Sequence, residues 1–139
     1  MKNTEALNNQ EPEEFIPVAS FDITVKTEYI SAQSNPDENR FVFTYTIKIV
    51  NTGTITAQLL RRHWIITDAN GETLEVRGKG VVGEQPWIAP GEDYQYTSGT
   101  VLNEFMGCMQ GSYVMCTEAG DEFKAAIPVF TLAQPDKLH

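Results

Sequence analysis

The pair Asn70-Gly71 sits between two runs of alternating apolar and polar residues, and that arrangement leaves few alternatives to antiparallel β-structure. Asn-Gly tolerates positive φ at both central positions of a type I′ turn, whose twist matches that of two paired strands. The pattern therefore predicts a hairpin between a strand at about Ala57–Thr67 and a second at Glu72–Arg77, with Asp68-Ala69-Asn70-Gly71 as its turn. Alternation places Leu60, Trp64 and Ile66 on one face of the first strand, and Leu59, His63 and Ile65 on the other. A glycine-rich loop, Gly78-Lys79-Gly80-Val81-Val82-Gly83, follows.

The same two-residue period recurs along the chain. Phe21, Ile23, Val25 and Tyr29 alternate with Asp22, Thr24, Lys26 and Glu28, the pattern of a half-buried strand over Phe21–Tyr29. Ser31–Asn39, with Asn35-Pro36-Asp37, reads as a polar loop. Arg40–Val50 sets Phe41, Phe43, Tyr45, Ile47 and Ile49 on one face, and Asn51–Thr54 then turns the chain. Gln85–Ile88 reads as a short edge segment and Ala89–Glu92 as a turn, because each proline lacks a ladder donor. Tyr94–Leu102, Met109–Thr117 and Glu122–Leu132 supply three more strands, the last two joined through Glu118–Asp121. No stretch sustains a helical period. The fold class expected is all-β: an antiparallel β-sandwich of about seven to eight strands, with a barrel as the alternative. Trp64 on the third strand is similar to the buried strand-C tryptophan of immunoglobulin-like domains, although the cysteine pair that brackets it there is missing.

At 139 residues one domain is expected, large enough for a core without metal or disulfide support. The domain should span residues 15–132, between a disordered acidic tail at 1–14 and a C-terminal tail at 133–139. No apolar run approaches the roughly 20 residues that cross a bilayer, and no secretory leader is visible, so a soluble, cytoplasmic protein is expected. A net charge of −9 argues against sequence-independent nucleic-acid binding and against anionic membranes. Cys108 and Cys116 fall on one expected strand, roughly 26 Å apart at the usual rise, too far to bridge within it.

Gly78–Gly83 matches G-x-G-x-x-G after a strand, but a dinucleotide loop opens a helix and Glu84-Gln85-Pro86 does not. The glycines then serve either the turn itself or the close approach of an anion. Arg61, Arg62, Arg77 and Lys79 stand here against Asp68, Glu72 and Glu75, a local balance of +1 in an acidic chain. Alternation puts Arg62 on the Trp64 face and Arg61 with His63 on the other. An inward Arg62 needs a partner. It either pairs with Asp68, Glu75 or another acid, or faces the glycine loop together with His63 and donates to phosphate oxygens. The candidate phosphate-binding set is thus Gly78, Lys79, Gly80, Gly83, Arg62, His63 and Arg77. His63 and His139 are the only histidines, so a two-histidine metal centre is not expected. No cofactor motif stands out, and Ser98 or Ser112 with one histidine does not spell a catalytic triad.

Arg62-His-Trp-Ile-Ile-Thr-Asp-x-Asn-Gly, Glu75-Val-Arg-Gly-x-Gly-Val-Val-Gly-Glu-Gln-Pro, Ala89-Pro-Gly-Glu, Tyr96-Thr-Ser-Gly, Gly111-Ser-Tyr113 and Ile127-Pro-x-Phe130-Thr-Leu together resemble the ApaG family. The resemblance runs from about Phe21 to Leu132. It departs at Arg61, where a small polar residue is common, and at Asn103–Gly107, where a proline-containing turn is usual. The resemblance implies a sandwich similar to fibronectin type III and immunoglobulin domains. It further implies a non-enzymatic binding module, engaged with a protein partner and associated with cobalt and magnesium tolerance. A pyrophosphate or nucleotide-phosphate site at the glycine loop is the alternative it implies; a phosphohydrolase ranks third, and a homodimer is left open.

Overall fold

A computed structural model describes residues 16–135; the acidic tail expected at 1–14 and the last four residues of the C-terminal tail lie outside the described residues. Eight strands follow one another: β1 (Phe21–Tyr29), β2 (Phe41–Asn51), β3 (Ala57–Asp68), β4 (Thr73–Lys79), β5 (Trp87–Ile88), β6 (Asp93–Leu102), β7 (Met106–Thr117) and β8 (Glu122–Ala133). One sheet has the order β1-β2-β6, and the other the order β4-β3-β7-β8 with β5 on the first residues of β3. Every pairing is antiparallel. The expected sandwich is what forms, because each sheet presents an apolar face and the two faces bury one another. Among the described residues no helix is long and apolar enough to cross a membrane.

The core is built by alternation. Phe41, Phe43, Tyr45, Ile47 and Ile49 project from β2 onto Trp64, Ile66, Met109, Met115, Ile127 and Leu132 of the facing sheet. Trp64, only 2% exposed, meets Tyr45 edge-on at 5.5 Å between ring centroids and Phe130 at 5.8 Å. Such tilted contacts set the positive ring edge against a negative face. Phe21 stacks on Phe123 at 6.1 Å, closing the sandwich on its β1–β8 side.

Three details differ from the sequence-based expectation. The hairpin forms, but its loop is not the two-residue type: Asp68 N–H donates to Glu72 O, Gly71 N–H to Asp68 O, and only Gly71 has positive φ (84°). The Asp68 carboxylate accepts the amides of Asn70 and Glu72, and this Asx-type clamp favours a three-residue loop with Asn70 at ordinary φ. On β3, Leu59 rather than Leu60 is buried. The register against β7 shifts between Leu59 and Arg61, a bulge that inserts one residue and resets alternation downstream. Finally, β7 begins at Met106 rather than Met109; it carries both cysteines, and both are free thiols.

The side opposite β1–β8 is open. Both β4 and β6 pair on one edge only, and between those edges runs a seam. At one end Leu74 and Val101, 61% and 48% exposed, flank a groove of about 190 Å³ floored by Ile66 and Leu102.

Candidate functional site

At the other end of the seam lies the glycine loop. Gly80 turns the chain off β4 with φ of 64°, its N–H donating to Leu60 O. Val81 and Glu84 exchange both backbone hydrogen bonds at 2.9 Å, and Val82 (φ 46°) and Gly83 (φ 80°) form the two-residue turn between them. Successive left-handed residues define a type I′ turn, so that geometry occurs here and not at Asn70-Gly71. A β-branched residue in the left-handed region is strained, and Val82 is held there by the paired amides on either side.

Arg62 fastens the loop from inside. Its Nη1 donates to Gly80 O at 2.8 Å and to Lys79 O at 3.2 Å. Cross-strand pairing sets Gly78 beside Arg62, and a Cβ on Gly78 would fall 2.6 Å from the guanidinium carbon, so the absent side chain is the space the guanidinium occupies. The inward arginine thus has its partner, but it is a pair of backbone carbonyls rather than Asp68 or Glu75. Gly80 is required twice, for its φ and because a Cβ there would strike the Glu84 carbonyl.

The candidate phosphate-binding residues divide between two faces. Arg62, Lys79 and Gly83 line a cavity of about 380 Å³ with Val82, Tyr96 and Ser98. His63 and Arg77 point away from it, onto the outer face of the sheet, where both share the Glu75 carboxylate: His63 Nε2 at 2.7 Å and Arg77 Nη2 at 3.3 Å. Neighbouring positions on a strand cannot reach the same side. Arg62 and His63 therefore leave β3 on opposite faces, although one trough of about 420 Å³ beside Gly78 is lined by both. Ser112 is the cross-strand neighbour of His63, but the histidine's hydrogen bond goes to Glu75. Among the described residues no group of three or more His, Cys, Asp or Glu is arranged to hold a metal ion.

Alternation did not reveal the polar pair behind Arg62. The Tyr96 and Tyr113 hydroxyls, from opposite sheets, hydrogen-bond to each other inside the sandwich. Burial pushes both phenols well above the usual tyrosine range. The unfolded chain releases these protons near pH 10 while the folded one retains them, so their stabilisation is intact below pH 10 and declines as pH rises above it. Urea melts between about pH 9 and 11.5 should show stability falling with a slope that Tyr113→Phe makes shallower. A slope unchanged by Tyr113→Phe would contradict the burial of that proton.

Comparison with known proteins agrees with this architecture. A family model described as the ApaG domain matches residues 31–117. The chain is similar to Protein ApaG of Pseudomonas aeruginosa PAO1, 59% identical over 117 residues, covering 84% of this chain and 93% of the relative. It is also similar to Protein ApaG of Shewanella baltica OS155, 56% identical over 120 residues, covering 86% and 95%. Among solved structures, an ApaA protein from Bordetella pertussis superimposes with a TM-score of 0.83 at 44% identity, covering 86% of this chain and 98% of that one. A protein from Archaeoglobus fulgidus shares the fold alone, with a TM-score of 0.52 at 10% identity over 83% of this chain and 98% of that one. With its glycine loop, its hairpin and nearly the whole length of its relatives aligned, this chain belongs to the ApaG domain family.

Proposed function

We propose that the domain is a non-enzymatic binding module whose partner is another protein, held along the open seam between β4 and β6. The observation that carries this reading is the coincidence of two unpaired strand edges with exposed Leu74 and Val101 at one end of the seam. An exposed edge is a ready template for an added strand, and pockets for alternate side chains supply selectivity. A cytoplasmic location and the link to cobalt and magnesium tolerance belong to the same proposal, the cation effect passing through the partner.

Phosphate binding at the glycine loop is a second reading, favoured by the placement of Lys79, Arg62 and the outward Val82–Gly83 turn around one cavity. Lys79 is the probe of choice, because Gly80 and Arg62 hold the loop's own geometry.

Affinity capture with quantitative mass spectrometry tests the first reading. Partners enriched on the wild type should be lost with Leu74→Lys/Val101→Lys and kept with Val129→Lys, an equally exposed apolar site on β8. A partner set indifferent to the seam substitutions, or no specific partner, would overturn it. In the same preparations, calorimetric binding of pyrophosphate abolished by Lys79→Ala would favour the phosphate reading instead.

A further inference from the structure

We propose that the outer face of the β4-β3-β7-β8 sheet is a second docking surface, one that takes an acidic, extended segment of a partner protein. This goes beyond the seam, which lies at the sandwich edge.

Register assembles the surface. Arg61, Val114 and Lys124 form one row across three strands, and Arg77, His63, Ser112 and Ala126 form the next across four. The residues flanking them along the strands, among them Tyr113 and Ala125, turn inward to the core, so the two rows share the solvent side. Arg61, Arg77 and Lys124 are exposed, and with Arg62 they line the trough of about 420 Å³ that also takes in His63 and Val114. Glu75 and Glu122 are the carboxylates within reach, Glu122 bonding Arg61 at 3.0 Å. Four cations against two anions give +2, in a chain whose net charge is −9, so the remainder carries −11.

Charge complementarity and spacing identify the occupant. The cations extend from β4 to β8, three strand spacings or about 14 Å, more than one phosphate group can touch. An extended chain places alternate side chains about 6.7 Å apart, so three acids at every second position cover about that width in five residues. The low floor of Ser112, Val114 and Ala126 lets a peptide backbone lie close to the sheet. The existing Arg61–Glu122 and Arg77–Glu75 pairs show that carboxylates meet these cations in good geometry. Within a Debye length of about 8 Å the local +2 governs, while the distant acids are screened.

The test uses the full chain and a fluorescently labelled Ser-Glu-Val-Glu-Val-Glu-Ser peptide, followed by anisotropy. Saturable binding is expected, weakened about tenfold or more by Arg61→Glu/Lys124→Glu and severalfold between about 50 and 300 mM NaCl. Leu74→Lys/Val101→Lys should leave it unchanged, which separates this surface from the seam. Circular dichroism confirms that the exposed-site variants remain folded. No saturable binding at low salt, equal binding by the charge-reversed variant, or loss of binding with the seam variant would overturn the proposal. Displacement by pyrophosphate at lower concentration than unlabelled peptide would also overturn it, marking a small-anion site.

Discussion

Replacing Trp64 with alanine should lower the unfolding free energy by about 3–5 kcal/mol, the range for truncating a large buried aromatic. Folded domains of this size carry about 5–15 kcal/mol in all, so the variant should be largely unfolded at 37 °C or close to it. The indole is 2% exposed and sits between Tyr45 on one sheet and Phe130 on the other, so its removal opens a void that both sheets border. Tyr45 and Phe130 also meet each other at 5.9 Å between ring centroids, so neither can fill the void without breaking that contact. Urea denaturation followed by far-ultraviolet circular dichroism measures the loss. Trp87, half exposed on β5, remains as a fluorescence reporter of the variant's folded state. A loss under about 1 kcal/mol would mean the sheets can close over the gap, contrary to the packing described.

Gly111→Ala is the second large effect expected, although it adds one carbon. Gly111 lies in the centre of β7, paired with Trp64 on β3 and Ile127 on β8. A Cβ there would overlap the His63 carbonyl oxygen and approach Trp64 Cα at 3.2 Å, both of them backbone that cannot rotate away. The two central strands would have to separate, and overpacking of this kind costs about 1–3 kcal/mol or more. Gly99→Ala on β6 is the control. Its Cβ would come no closer than 3.3 Å to the Phe43 carbonyl, and removing a glycine's freedom from the unfolded chain offsets part of any strain. The expectation is a clear fall in urea midpoint for Gly111→Ala and little change for Gly99→Ala. Equal midpoints for the two variants would show that β3 and β7 are not so closely apposed.

Strand placement was legible because period-2 alternation is a local property. Phe41 to Ile49 could be assigned to one buried face without knowledge of any partner, and all five are buried. The turns at Asn51–Thr54, Ala89–Glu92 and Glu118–Asp121 were legible for the same reason, since glycine and proline limit the backbone locally. The glycine loop was visible as a loop, but its own turn type was not. Nothing in Gly78–Gly83 alone predicts that a valine, Val82, would take a left-handed conformation, because the Val81–Glu84 pairing enforces it.

The candidate site was less legible than the fold. Alternation already sent Arg62 and His63 to opposite faces of their strand, and their hydrogen bonds, to the Gly80 carbonyl and to Glu75, follow that division. Arg62 looked to be in want of an acid and proved to hold the carbonyls of Lys79 and Gly80, acceptors that every residue carries and no sequence pattern announces. The outer cationic trough draws Arg61, Arg77 and Lys124 from three strands, and Lys124 is 63 positions from Arg61 in the chain.

By itself, then, the sequence determined the β class, seven of the eight strands nearly to their ends, the apolar face of β2 and the presence of a glycine turn after β4. These follow from steric preferences that act within a few residues. Only the tertiary structure decided the bulge that buries Leu59 in place of Leu60, the need for glycine at position 111 and the Tyr96–Tyr113 pair. Each of those depends on which strand lies alongside and in what register, and a shift of one residue in register exchanges inside for outside.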